Sequence, residues 1–180
     1  MPIEKHWTTR IASVADQHRQ GFQELSNKFD LGEINPDQFA EKLSAMTGVN
    51  QKEIIPEMWE GVLFHRQVIS LLKKLKQNYK LAVLSNSNSE FINEFLEREN
   101  LETIFDAEVI SQEIGLIKPD PEIFKVALNK LQTSPAETLF IDDRERNVQA
   151  AEKLGIKGIL YKNPQQFKDD LLKQKVLNPL

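Results

Sequence analysis

The sequence predicts an α/β fold, a Rossmann-like parallel sheet with an N-terminal α-helical segment, on three observations. Short apolar runs alternate with amphipathic segments of about 10 to 15 residues, the pattern of βαβ units. Two runs stop abruptly in polar residues: Lys80 to Leu84 ends at Ser85-Asn86-Ser87, and Leu139 to Ile141 ends at Asp142-Asp143. The chain ahead of these runs shows helical periodicity and no buried-strand pattern. In open α/β sheets ligands bind outside the carboxyl ends of the strands, so the two polar stops are where a site is expected.

The 180 residues suffice for one domain, or a domain with a small appendage, around a real core. Apolar content of 40% with 28% charged residues fits an ordinary globule. A net charge of -4 and a pI near 5.5 give no basic footprint, which argues against nucleic acid as partner. The absence of cysteine excludes disulfides and thiolate chemistry and makes the cytoplasm the natural compartment. Runs such as Leu81 to Leu84 are far too short to cross a bilayer, and the N-terminus lacks a secretory h-region, so no membrane partner is expected.

Taken in order, Ile11, Ala15, His18, Phe22, Leu25 and Phe29 recur at spacings of four and three, one face of a long helix that Gly21 weakens. His18 has no second ligand in the pattern and reads as a packed helix residue. Asn35-Pro36-Asp37-Gln38 offers an N-cap, proline at the first helical position and Gln at N3, so a second helix presents Phe39, Leu43 and Met46 until Gly48. A third helix from Gln51 to about Val62 carries Met58 and Trp59. Val68, Leu71, Leu72 and Leu75 mark the next, with Lys73, Lys74 and Lys76 as its solvated face.

Lys80 to Leu84 then reads as a strand, and Ser87 with Glu90 as a capping-box pair before Phe91, Ile92, Phe95 and Leu96. Free backbone N–H groups at such a helix start suit an anion. Ala107 to Ile110 is a short strand. Asp120 and Pro121 open a helix with Ile123, Phe124, Ala127, Leu128 and Leu131 inward. Ser134-Pro135-Ala136-Glu137 repeats the capping box before the strand that ends at Asp142. Beyond Asn147 a helix carries Val148, Ala151 and Leu154, Gly158 to Tyr161 is the last strand, and Asn163-Pro164 begins the final helix.

The pair Asp142-Asp143 has two readings. Two carboxylates at a buried strand end repel and lose hydration unless a cation sits between them, which points to Mg2+; a solvated acidic turn is the plainer alternative. Ser85-Asn86 and Lys118 favour the first. A hydroxyl with backbone amides, an ammonium and a carboxylate-held cation are what a phosphoryl group needs around its oxygens.

These residues resemble the motifs of the haloacid dehalogenase (HAD) superfamily of hydrolases, in the subfamily with a helical cap, over about Gly32 to Leu172. Leu84-Ser85-Asn86 is similar to its second motif. Gly115 to Phe124, around Lys118-Pro119-Asp120-Pro121, is similar to its third, and Phe140-Ile141-Asp142-Asp143 with Asn147 to its fourth. The resemblance implies an HAD-like core over residues 65–180 with a cap over 1–64, and Mg2+-dependent hydrolysis of a small phosphorylated metabolite. By it, Ser85 and the amide of Asn86 bind phosphate oxygens, and Lys118 neutralises the transferring group and the nucleophile. Asp142 and Asp143 hold Mg2+, and Asn147 supports them. The order of Lys118 before Asp142 disfavours a receiver domain, which places its acids first.

The family's first motif, an Asp-x-Asp that ends an initial strand and supplies the nucleophile, has no counterpart at any Asp of the chain; Asp30 follows a helical stripe and Asp106 precedes a strand. The chain reads as beginning inside the cap. It is expected to be inactive alone, to hold Mg2+ weakly or not at all, and to lack the central strand, leaving unpaired backbone groups unless the sheet closes up. Three readings follow: a truncated version, or one with a misassigned start, of a Mg2+-dependent phosphatase whose parent is active; a non-catalytic pseudo-phosphatase that binds a partner or phosphorylated ligand; or an enzyme completed by a strand from another chain. An open sheet edge would favour self-association.

Overall fold

The computed structural model describes residues 4–5, 19–60, 62–63 and 66–177. Three helices, α1 (Arg19–Asp30), α2 (Pro36–Thr47) and α3 (Gln51–Glu60), form the first unit. Helix α2 starts where the sequence indicates: the Asn35 side chain accepts from Gln38 N at 2.9 Å, and Gln38 Oε1 accepts from Asn35 N at 3.0 Å. It ends at Gly48, whose φ of 69° is accessible to a residue without Cβ.

The three helices bury Leu25, Phe29, Phe39, Leu43 and Ile54 together. Phe39, on the apolar face of α2, is interior, its ring 4.5 Å from that of Phe29. Met58 packs half-buried against the same cluster. The stripe from Ile11 to His18 and the Trp59 side chain lie outside the described residues. Helix α3 stops at Glu60 rather than at Val62, because Val62–Leu63 forms β2, antiparallel to β1 (Glu4–Lys5).

From residue 66 the chain alternates: α4 (Arg66–Leu75), β3 (Ala82–Ser85), α5 (Ser89–Arg98), β4 (Ala107–Ile110), α6 (Ser111–Ile114), α7 (Pro121–Leu131), β5 (Leu139–Asp142), α8 (Glu145–Lys153), β6 (Lys157–Leu160) and α9 (Pro164–Lys173). Strands β3 and β4 are parallel, from Ala82 opposite Ala107 to Ser85 opposite Ile110. Strands β5 and β6 are parallel, from Leu139 opposite Lys157 to Asp142 opposite Leu160.

Helix α5 packs Ile92, Phe95 and Leu96 on Val83, and α7 packs Ile123, Phe124 and Leu128 against Leu84 and Val109. Helices α4 and α9 close over Ile159 and Tyr161. The pairs are therefore covered by helices, as parallel strands require. Among the described residues no helix is long and apolar enough to cross a membrane.

Capping chemistry sets most boundaries. Asp120 accepts from Glu122 N at 2.9 Å, Asn163 from Gln166 N at 2.9 Å, and Ser134 and Glu137 close a reciprocal box on a single turn. The Ser87–Glu90 box does not form. Asn88 is the cap of α5, accepting from Phe91 N at 2.7 Å, while Ser87 is buried and gives its N–H to Ser111 Oγ at 3.0 Å. A hydroxyl brought from β4's end decides this, and no local pattern contains it. Helix α8 likewise begins at Glu145, with Asn147 already inside its first turn.

The sheet does not close up. Among the described residues β3 pairs only with β4 and β5 only with β6. Between them lies a cavity of about 460 Å³, lined from β3 by Ala82 and Leu84 and from β5 by Phe140 and Ile141. Leu139, Phe140 and Ile141, expected to be fully buried, are consequently only half-buried: one edge of their strand borders the cavity instead of another strand.

Candidate active site

Ser85 and Asp142 are the last residues of β3 and β5, and Lys118 reaches their ends from the loop between α6 and α7. The lysine is 8% exposed, which only a paired ammonium tolerates. Its Nζ donates to the Leu84 carbonyl at 2.8 Å and to Asp142 Oδ2 at 2.7 Å, with the Phe140 ring centre 5.6 Å away. The backbone carrying it is fixed by Asn86: Lys118 N donates to Asn86 Oδ1 at 2.8 Å, and Asn86 Nδ2 donates to the Lys118 carbonyl at 3.0 Å.

Asp142 is 4% exposed. Its Oδ1 accepts from Arg144 N and from Asn147 Nδ2, each at 2.9 Å. Burial pushes this carboxyl up, but the Lys118 charge and hydrogen bond, with the Arg144 N–H, outweigh it and hold the group below the ordinary carboxylate range. Asn147 Oδ1 is buried without a protein partner among the described residues. Asp143 is exposed and Ser85 half-exposed, so both face the opening rather than the interior.

The structure thus joins Lys118, Asn86, Asp142 and Asn147 by direct hydrogen bonds and places Ser85 and Asp143 beside them in the chain. At the start of α5, Ser87 N is taken by Ser111 Oγ, Ser89 N by Gln112 Oε1 at 2.8 Å and Phe91 N by Asn88, whereas Asn86 N, Asn88 N and Glu90 N have no such partner among the described residues.

Sequence reasoning missed the Asn86 side chain and Ser111. Asn86 reads locally as a turn residue, but it clamps a backbone 32 residues away. Ser111 is fully buried; its hydroxyl accepts from Ser87 and donates to the Asp30 carbonyl at the end of α1, joining the helical unit to the turn after β3.

Asp106 takes no part. Its carboxylate pairs with Lys76 at 2.7 Å and accepts from Leu81 N at 2.8 Å, at the opposite end of β3.

Mg2+ requires oxygen donors, and among the described residues no three His, Asp or Glu side chains gather in one place. Asp142 Oδ2, with one donor, retains a lone pair, and Asp143 retains a solvent-facing carboxylate. Two carboxylates are within the habit of Mg2+, which keeps several waters and takes further oxygens from a phosphate. The residues fit a water-rich, weakly held ion, since Lys118 already neutralises Asp142.

Parallel strands whose carboxyl ends gather a buried, carboxylate-paired lysine define an α/β protein with its polar side chains collected at one end of the strands. The model of the haloacid dehalogenase-like hydrolases matches residues 57–161, more than half of the chain, and the chain belongs to that family.

Among its relatives, the sesquiterpene phosphatase astK of Aspergillus oryzae is 30% identical over 140 residues, spanning 76% of this chain and 71% of the relative. The D-ribitol-5-phosphate phosphatase of Bacteroides thetaiotaomicron is 28% identical over 166 residues, 86% and 78% of the two chains. A solved HAD family enzyme of Bacteroides thetaiotaomicron, in complex with magnesium and inorganic phosphate, superposes with a TM-score of 0.68 at 27% identity, covering 89% of this chain and 88% of that one. A HAD-like hydrolase of Porphyromonas gingivalis shares the fold with a TM-score of 0.74 at 23% identity, over 92% and 87%.

Proposed function

We propose that this chain carries the phosphate-binding half of a Mg2+-assisted hydrolase site for small phosphate monoesters and does not turn substrate over alone. The observation that carries this is the buried Lys118 ammonium, tied to Leu84 O and Asp142 at the ends of two parallel strands. A lysine has three N–H donors and two are engaged, so a phosphate oxygen can take the third. Ser85 and the Asn86 amide offer further donors beside it. Asn147 and the Arg144 N–H keep the Asp142 carboxylate oriented and ionised, and Asp143 is its partner for a cation. When bound, Mg2+ would neutralise charge on the phosphoryl oxygens.

The sequence holds no Asp-x-Asp, so among the described residues no carboxylate of that motif stands ready to attack phosphorus. Residues 1–64 are read as a cap that selects the substrate and residues 65–180 as the core, in a cytoplasmic setting suited to a chain without cysteine. The named activities of the two phosphatase relatives support the substrate class. An enzyme completed by a strand from another chain is the second reading, favoured by the cavity between β3 and β5.

The test combines a Mg2+-dependent assay on p-nitrophenyl phosphate with inorganic phosphate binding followed by 31P NMR. Phosphate should bind, more tightly with Mg2+, and lose affinity in Lys118→Met, while turnover stays at background. Turnover that disappears in Asp142→Asn would show the chain to be active alone, and failure to bind phosphate would remove the reading altogether.

A further inference from the structure

We propose that Ser111 is a positioning residue for the turn after β3, and that through it the seating of α1 on α6 sets the geometry of Asn86. The consequence for phosphate rests on the phosphoryl-transfer reading above; the coupling itself does not.

A helix leaves its last four carbonyls without intrahelical partners. At the end of α1, Asn27 O is taken by Leu31 N at 2.9 Å, Lys28 O by Glu33 N at 2.9 Å and Phe29 O by Gly32 N at 3.0 Å. The fourth, Asp30 O, accepts from the Ser111 hydroxyl, 81 residues further along the chain. The cap of α1 is thus completed by a side chain at the end of β4.

The same oxygen serves the turn after β3. Ser87 N donates to Ser111 Oγ at 3.0 Å, and Ser87 O lies 3.2 Å from it. A hydroxyl has one proton, so Asp30 O and Ser87 O compete for it. With α1 seated, the proton goes to Asp30 O and a lone pair is left aimed at Ser87 N. Withdrawing Asp30 O turns the proton to Ser87 O and swings that lone pair away. Ser111 and Ser87 are 0% and 4% exposed, so water does not make up the lost bond.

The Ser87 N–H lies in the peptide plane that follows Asn86. Asn86 is therefore held at two points: its side chain on the Lys118 backbone, at 2.8 and 3.0 Å, and its carbonyl plane through Ser111. Losing the second releases the ψ of Asn86, and with it the aim of its own N–H relative to Lys118.

A parallel bridge runs beside this one. Gly32, at φ 74°, passes so close to α6 that a Cβ there would stand 2.5 Å from Gln112 Cγ. Gln112 Oε1 accepts from Ser89 N at 2.8 Å, and Glu113 Oε1 accepts from Ser89 Oγ at 2.8 Å. Both bridges pass through the four residues of α6.

The test uses the full chain and two glycine variants. Gly32→Ala forces the chain after α1 away from α6. Gly48→Ala is the control, since its φ of 69° is equally unfavourable to alanine but an added Cβ meets nothing within 4 Å. Amide exchange, read residue by residue by NMR, should be about tenfold faster at Ser87 and Ser89 in Gly32→Ala and unchanged there in Gly48→Ala. Inorganic phosphate affinity, by 31P NMR, should fall in Gly32→Ala alone. In a Ser111→Ala background, Gly32→Ala should alter Ser87 exchange little further, the signature of a shared path. Unchanged exchange in Gly32→Ala overturns the proposal, as does equal acceleration in both glycine variants or effects of Gly32→Ala and Ser111→Ala that simply multiply. A wild type that binds no phosphate would remove the reading of the site, while the exchange rates still decide the coupling.

Discussion

Replacing Lys118 by methionine isolates the interaction on which the site depends. The ammonium and the Asp142 carboxylate are 8% and 4% exposed and 2.7 Å apart, so this is a buried ion pair rather than a surface one. Methionine keeps most of the side-chain length and removes the charge. It leaves Asp142 buried with only the Arg144 N–H and the Asn147 amide to hold its charge. Breaking a buried pair on one side costs about 3–5 kcal/mol, a large part of the roughly 5–15 kcal/mol that holds a domain folded.

The pH dependence supplies an independent check. Asp142 is held below its ordinary value of 3.8, so its contribution is fully present above that value and is lost as pH falls through the lowered one. Without Lys118 burial dominates and the carboxyl moves up, so Lys118→Met should gain relative stability on acidification. Urea denaturation of the wild type, Lys118→Met, Asp142→Asn and the double variant at several pH values measures both effects. The double variant should recover much of the loss, since two neutral groups leave no unpaired charge. A loss below about 1 kcal/mol in Lys118→Met, additive with that of Asp142→Asn, would refute the reasoning.

Asn86→Ala removes both bonds that fix the Lys118 backbone; unfolding free energy should fall by about 1–3 kcal/mol, with weaker inorganic phosphate binding by 31P NMR. Ser111→Ala leaves the Ser87 N–H and the Asp30 carbonyl without the shared hydroxyl; a similar loss of about 1–3 kcal/mol is expected, with faster hydrogen exchange at Ser87 and around the end of α1.

Signals confined to a few neighbouring residues were legible in advance. Asn35, Asp120, Ser134 and Asn163 cap what their spacing to Gln38, Pro121, Glu137 and Pro164 indicates, because a cap and its amide belong to one turn. The strand ends at Ser85 and Asp142 follow from the point where apolar character stops. Ser87 failed for the opposite reason: it and Asn88 are both acceptable caps, and the choice was made by Ser111, distant in sequence. Lys118 alone reads as a surface lysine before a proline, and its burial depends on Asn86 and Asp142, each contributed by a different βα turn. Phe39 lies on the apolar face that helical periodicity marks, a pattern that does not say whether the face meets core or ligand.

The division of the strands into β3–β4 and β5–β6 also bears on how the molecule comes apart. Among the described residues no ladder joins the two pairs, so side-chain packing and the Lys118 cross-tie alone couple their unfolding. Cooperativity across that boundary is then weaker than within either pair, and the two behave as adjoining foldons with distinct opening free energies. The cross-tie sits at one end of the boundary only, and at the other, near Leu81 and Leu139, apolar packing alone holds the halves together, so hydrogen exchange there should be the faster of the two.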